Sequence, residues 1–395
     1  MPALADSDPR LVPVRPPRME PGAGIMILRL AYLLCLLFGF LVAIETMSKA
    51  IQALADTGLL GSGEDGELFS GVSNPFAGLA LGVLFTVLVQ SSSTTTSTIV
   101  AVVGSGALSV KHAVPMILGA NVGTTITNTL VSIGHVRRSR EFRRAFAAAT
   151  VHDFFNLMAV AVMLPIELAT GFLSRTAGWL TSSLGSAGGA EYKSPFKKAI
   201  RGVHGRLVDL VEASGLDGKM LSVALLVVGI GLTFLCLYQI TRNMRSLMAG
   251  RIERAMNRTL ESSGLLAVVI GIMITVAVQS SSITTSLLVP MCAAGVMRLR
   301  NAFPIMLGAN IGTTVTALLA SLAQDRPEAL TIALVHLLFN VIGVATCLVF
   351  PPIQAVPIRL AEALAKRAAH SPIWIVSYVL GVFVVIPFTG WLVWR

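Results

Sequence analysis

Long apolar runs separated by short polar connections make up nearly the whole chain, at about 26–48, 77–89, 113–133, 145–171, 220–240, 264–278, 302–323, 330–350 and 373–394. Most are of spanning or near-spanning length, since a helix crossing the hydrocarbon core takes roughly 20 residues. They contain scattered Gly and Pro, which membrane helices tolerate, and no alternation of the kind that marks a transmembrane β-barrel. The run from Phe76 to Val89 is too short to cross and ends abruptly at Gln90. A half-helix of this kind leaves backbone groups without partners, and a bilayer accepts that only where they are buried in protein or face a hydrated cavity.

The interruption is Val89-Gln90-Ser91-Ser92-Ser93-Thr94-Thr95-Thr96-Ser97, and it recurs as Val278-Gln279-Ser280-Ser281-Ser282-Ile283-Thr284-Thr285-Ser286. At the same offset Gly119-Ala120-Asn121-Val122-Gly123-Thr124-Thr125 matches Gly308-Ala309-Asn310-Ile311-Gly312-Thr313-Thr314. Pairing 82–127 with 271–316 without a gap gives identity at roughly half the positions, so the chain is an internal repeat. A five-residue shift then aligns Val335-His336 and Phe339-Asn340 with Val151-His152 and Phe155-Asn156. The predicted organisation is a disordered cytoplasmic tail at 1–25, a first repeat at 26–171 and an inter-repeat connection with an amphipathic helix at 172–219. A second repeat at 220–350, an amphipathic linker at 351–371 and a C-terminal membrane helix at 372–395 follow.

Composition agrees with a membrane protein: 54% of the 395 residues are hydrophobic and 13% charged, and the mean hydropathy is +0.77. The net charge of +10 does not imply nucleic acid, because the basic residues lie in short connections beside apolar segments. The four cysteines sit in or beside apolar runs without metal-ligand spacing, and residues 1–25 lack the pattern of a cleaved signal peptide.

Two Arg-rich connections, 134–144 and 242–258, are expected on the cytoplasmic side. Helix 26–48 then leaves the cytoplasm and its counterpart 220–240 returns to it, so the repeats are predicted to be inverted, as in many secondary transporters. The basic stretch 193–206 falls on the outer side in this count, against the charge rule; the shorter Arg-rich loops carry more weight.

Inverted repeats bring equivalent broken segments together near mid-membrane, so the two Gln-Ser-Ser-Ser stretches should line one cavity. Half-helix N-termini suit an oxyanion, carbonyl and hydroxyl oxygens suit Na+, and together the ions lower each other's desolvation cost. Ser and Thr in membrane helices also serve packing and back-bonding, and that reading remains open for the two Gly-Ala-Asn-x-Gly-Thr-Thr segments. His152 and His336 read as structural hydrogen-bond donors rather than proton carriers. Asp153, a carboxylate inside an apolar run without a basic residue four positions away, reads as functional.

The two VQSSS segments, the two GAN-x-GTT segments, NPFAG at 74–78, EFRRAFAAATVHDFFN at 141–156 and PIRLAEA at 357–363 strongly resemble the type II sodium/phosphate cotransporter family. The resemblance implies Na+-driven import of inorganic phosphate by alternating access, with no enzymatic activity and no cofactor beyond Na+ as coupling ion. It implies phosphate binding by Gln90, Ser91, Ser92, Ser93, Gln279, Ser280, Ser281 and Ser282, with Asn121 and Asn310 added to that set. It implies Na+ binding by Gln279, Ser282, Thr313 and Thr316, with Thr124 and Thr127 as first-copy counterparts, and by Asp153, Asn156 and Asn340. Asp153 matches the aspartate of electrogenic members, which implies about three Na+ per divalent phosphate. The short 172–219 connection, without Cys or a glycosylation motif, points to a bacterial member in the inner membrane. The expected partners are phosphate, Na+ and the lipid bilayer. A phosphate exporter of the same fold and a passive anion channel are the alternatives.

Overall fold

A computed structural model describes residues 23–56, 73–136, 139–187, 195–258 and 264–394. Most of the N-terminal tail, Arg137, Arg138 and Lys193 lie outside the described residues. The described chain is helical throughout: α1 (Ala23–Asp56), α2 (Pro75–Val89), α3 (Ser92–Ser105), α4 (Val110–Gly123), α5 (Ile126–Ile133), α6 (Ser139–Thr170), α7 (Phe172–Ala187) and α8 (Pro195–Glu212) come first. They are followed by α9 (Gly218–Arg258), α10 (Gly264–Val278), α11 (Ser281–Ala293), α12 (Leu299–Leu322), α13 (Pro327–Val349) and α14 (Pro351–Ala368). The last element is α15 (Ile373–Leu380), which continues through a π-helical turn into α16 (Ile386–Trp394). Seven described stretches are long and apolar enough to cross a membrane: 24–56, 110–133, 139–170, 218–245, 299–322, 327–349 and 373–394. The protein is a multi-pass, all-α membrane protein.

Two helical hairpins are set among these spans, α2–α3 and α10–α11. Each begins with a helix of 15 residues, about 22 Å at 1.5 Å per residue, which is short of the bilayer core. Small residues let each hairpin lie directly against the neighbouring span. A Cβ on Gly82 of α2 would run into the Met116 carbonyl of α4, and one on Gly119 of α4 into the Leu79 carbonyl. The second copy repeats this, with Gly271 against Ile305 and Gly308 against Val268. Because the obstructing atoms are backbone, Gly308→Ala is expected to destabilise the protein by about 1–3 kcal/mol. Thermal unfolding in detergent tests this against Gly231→Ala, where a Cβ meets nothing within 4 Å; equal midpoints would refute it.

Helices α1 and α9 pack side by side and antiparallel: Asn243 Nδ2 donates to the Arg29 carbonyl at 3.1 Å, while Gly229 abuts Met47 further along. Among the described residues the buried apolar side chains form two large clusters and a smaller one around Phe142, Phe146 and Ile375. Of the large clusters, one gathers α1, α3, α4 and α12–α13 residues such as Phe40, Ile44, Ile117 and Phe339; the other gathers α10–α12 and α14 residues such as Leu288, Phe303 and Ile358. Helix α6 runs through both, contributing Val151 and Phe155 to the second cluster and Ala159 and Val160 to the first. His152, Asp153 and Asn156 therefore lie near the junction, where polar groups from both halves are present to meet them.

Three local features lie beyond the sequence reading. Residues 172–187 form a helix of their own, started where Gly171 turns the chain at φ 63° and the buried Glu167 carboxylate accepts from the Leu173 and Ser174 amides. The first Gly-Thr-Thr segment separates α4 from α5, but α12 runs unbroken through the second. Both copies read Gly-Thr-Thr, so nothing in the motif distinguishes them. The amphipathic helix α8 lies against α1 and the loop before α13. Lys197 Nζ donates to the Gln324 carbonyl at 2.6 Å, and Arg201 pairs with Asp325. His204 Nδ1 meets Thr46 Oγ1 at 3.1 Å, and burial, then Lys49, holds this imidazole below its usual pKa.

Candidate functional site

Each hairpin reverses at its glutamine. Gln90 and Gln279 have φ of 57° and 55°, the only non-glycine residues with positive φ among the described residues. Each accordingly ends its helix in the left-handed conformation, at about 1–2 kcal/mol for an L-residue. The next residue, Ser91 or Ser280, returns to extended backbone, and its hydroxyl caps the following helix by accepting from the Thr94 amide at 3.2 Å or the Ile283 amide at 3.4 Å. Glutamine at the strained position also brings an amide that holds the tip together. Gln90 Nε2 donates to the Val87 carbonyl at 2.5 Å and its Oε1 accepts from Thr127 Oγ1 at 3.2 Å. Gln279 does the same with Val276 at 2.7 Å and Thr316 at 3.0 Å. Beneath each tip a threonine pair joins the two arms, Thr86 with Thr95 at 3.0 Å and Thr275 with Thr284 at 2.9 Å.

The two tips face one another across a cavity of about 260 Å3 lined by Gln90, Ser91, Ser92, Ser93, Gln279, Ser280, Ser281 and Ser282. Among the described residues the hydroxyls of Ser92, Ser93, Ser281 and Ser282 make no hydrogen bond. Helices α3 and α11 both start at this cavity, so their first-turn amides, which have no intrahelical acceptors, add donors there. The lining has no cationic side chain, so any anion held here rests on neutral donors and helix ends. Helix α9 closes the side of the cavity with Phe234, Leu237, Tyr238 and Thr241. Sequence reasoning missed these four, because they sit in an ordinary apolar span with no motif of their own.

The remaining residues singled out from sequence lie elsewhere. Asn121 and Asn310 do not line the cavity but sit in a buried network joining the two copies. Asn310 Nδ2 donates to Asn156 Oδ1 at 2.8 Å, and His152 Nε2 lies 2.6 Å from Asn310 Oδ1. Because that oxygen can only accept, Nε2 carries the proton and His152 is a donor. In the reciprocal pair, Asn340 Nδ2 donates to Asn121 Oδ1 at 3.1 Å, and Asn156 Nδ2 also reaches the Asn121 carbonyl at 2.7 Å. The asparagine of each Gly-Ala-Asn segment thus meets the asparagine of the other copy's long helix. Thr124 and Thr313 turn their hydroxyls back to the carbonyls of Ala120 and Ala309. Thr127 and Thr316 alone of the four threonines touch the glutamine tips.

Asp153 is fully buried, with Oδ2 accepting from Tyr378 Oη at 2.9 Å and Oδ1 without a partner among the described residues. Asn340 Oδ1 is also buried and without a hydrogen-bond partner among the described residues. Tyr378 comes from the C-terminal helix, and nothing in the sequence linked it to Asp153. Asn128 was missed as well: its Oδ1 accepts from Thr285 at 2.9 Å and Ser286 at 3.1 Å, fastening α5 to α11.

A family model described as Na+/Pi-cotransporter matches residues 39–184 and 232–356, which take in both hairpins, both Gly-Ala-Asn segments and α6. The chain belongs to the Na+/Pi-cotransporter family. This is a family of transporters, so the chain is not an enzyme. Among curated proteins it is 33% identical to the sodium-dependent phosphate transport protein 2A of Ovis aries, over 93% of this chain and 69% of that protein. It is 34% identical to the 2A protein of Rattus norvegicus, over 92% and 67%, and 32% identical to the human 2B protein, over 91% and 64%. Comparison with solved structures returned no match.

Proposed function

We propose that this Na+/Pi cotransporter couples Na+ to the movement of inorganic phosphate, with the oxyanion held between the two Gln-Ser-Ser-Ser tips. The observation that carries this reading is the cavity between two equivalent hairpin ends, with four uncommitted serine hydroxyls and two helix N-termini converging on it. Neutral hydroxyl donors and helix N-termini of this kind can hold an oxyanion without a fixed cation. Gln279, Ser282 and Thr316, with Gln90 and Thr127 in the first copy, would supply oxygens to Na+ beside the phosphate.

A further Na+ would be held near Asp153, Asn156 and Asn340. The two unpartnered buried oxygens, Asp153 Oδ1 and Asn340 Oδ1, support this, because a buried acceptor without a donor is stabilised by a hard cation. The antiparallel packing of α1 against α9 supports inverted repeats and alternating access. Import into the cytoplasm with about three Na+ per divalent phosphate, in the inner membrane and with a cytoplasmic N-terminus, completes the reading.

Radiolabelled phosphate uptake into proteoliposomes tests it, with an inward Na+ gradient compared with K+ and the voltage set by valinomycin. Uptake is expected to require Na+ and to rise with inside-negative potential. Equal uptake in K+ would exclude coupling to Na+ and favour a passive anion path.

A further inference from the structure

A second cavity among the described residues lies away from the hairpin tips. It measures about 790 Å3 and lies where the start of α6 meets the turn from α11 to α12 and the helix α14. Arg143, Arg144, Arg298, Arg300 and Lys366 line it, with Glu362 as its single acid. Among the described residues none of these five cations forms an ion pair. Five cations against one acid leave the cavity with an excess of positive charge, and the repulsion among the cations is relieved when an anion enters.

The opposite hairpin makes the contrast informative. Gly106 and Gly295 hold the base turns of the two hairpins at φ 85° and 77°, and each lies under an arginine from the other half of the chain, Arg326 and Arg144 respectively. A Cβ on Gly295 would fall 2.5 Å from Arg144 Nη1, so the bare turn is what lets the guanidinium lie there. At the Gly106 end the basic groups have protein partners. Asp325 is met by Arg201, by Lys197 at 3.8 Å and by Lys49 at 3.9 Å, and Arg326 has Glu328 at 3.6 Å. At the Gly295 end the same arrangement of arginine over glycine opens onto a cavity where five cations face the single acid Glu362.

We propose that this cavity is a second oxyanion site, separate from the hairpin tips, which binds a phosphate group carried either by free inorganic phosphate or by an anionic lipid headgroup. Forked guanidinium groups suit phosphate oxygens, and the volume leaves room for the ester portion of a headgroup. Basic pockets between helices at a membrane face are a known setting for such headgroups.

The test uses the purified protein and the double variant Arg298→Gln/Lys366→Gln, whose side chains are exposed. One arm measures labelled inorganic phosphate by equilibrium dialysis in Na+-free choline buffer; the other counts phosphatidylglycerol retained in native mass spectrometry, with phosphatidylcholine as reference. Retention in one arm is expected to be at least tenfold weaker in the variant, and that arm identifies the source of the phosphate group. The distant pair Lys198→Gln/Arg206→Gln is expected to behave as wild type. If the first variant does not fold, Arg300→Gln/Lys366→Gln serves in its place. Equal retention by wild type and variant in both arms, or an equal loss in the distant pair, would overturn the proposal.

Discussion

Gln279→Ala is expected to weaken apparent phosphate and Na+ affinities together, each by roughly 10- to 100-fold. This glutamine holds the second hairpin tip through Val276 and accepts from Thr316, directly beside the serines that line the cavity. Losing an amide that contacts a charged ligand, or that holds the groups doing so, costs about 1.5–3 kcal/mol. Because coupling free energy is reciprocal, the two ligands should shift together. Gln279→Gly separates the backbone from the amide: it removes the strain of the left-handed turn but also the side chain. If the amide matters, the two variants should show the same loss; if Gly retains wild-type affinities, the residue matters only for the turn. Uptake rates measured against phosphate and Na+ concentration, normalised to inserted protein, decide this. Reduced yield with unchanged affinities would return the segment to a packing role.

Asp153→Asn is expected to preserve phosphate uptake while lowering the charge moved per phosphate by one. The substitution keeps the size of the side chain and its contact with Tyr378, and removes only the negative charge in a site fully closed to solvent. Tyr378→Phe provides the complementary test, since it leaves the charge and takes away the hydroxyl that donates to Oδ2. Its expected effect is an apparent Na+ affinity lower by about tenfold, with the charge-to-phosphate ratio unchanged. Currents recorded beside tracer uptake would distinguish the two. An unchanged ratio in Asp153→Asn would remove this carboxylate from the coupling scheme, and an unaltered Na+ dependence in Tyr378→Phe would leave the tyrosine a purely structural contact.

The asparagine network offers a physical reason why the Gly-Ala-Asn segments recur without lining the cavity. Their glycines allow backbone contact with the hairpins, and their asparagines reach across to Asn156 and Asn340. Hairpin position and the junction between the halves are thus read by the same short segment. Packing and function, which the sequence presented as competing explanations for these residues, are served by different atoms of one motif.

The sequence by itself determined the all-helical membrane class, the duplication, and the places where helices stop short at Gln90 and Gln279. These are local properties: hydropathy over a window, repeated residues, and a polar run that cannot continue an apolar helix. The eight Gln-Ser-Ser-Ser residues now found around one cavity were legible for the same reason. Only the tertiary structure decided that Tyr378 meets Asp153, that α9 walls the cavity, and that Asn121 and Asn310 turn inward to the junction instead of toward the tips. It alone gathered the cations of α6, α12 and α14 around a second cavity. Each of these joins residues far apart in the chain, through contacts set by how helices pack, and no periodicity or spacing in the sequence records which faces will meet.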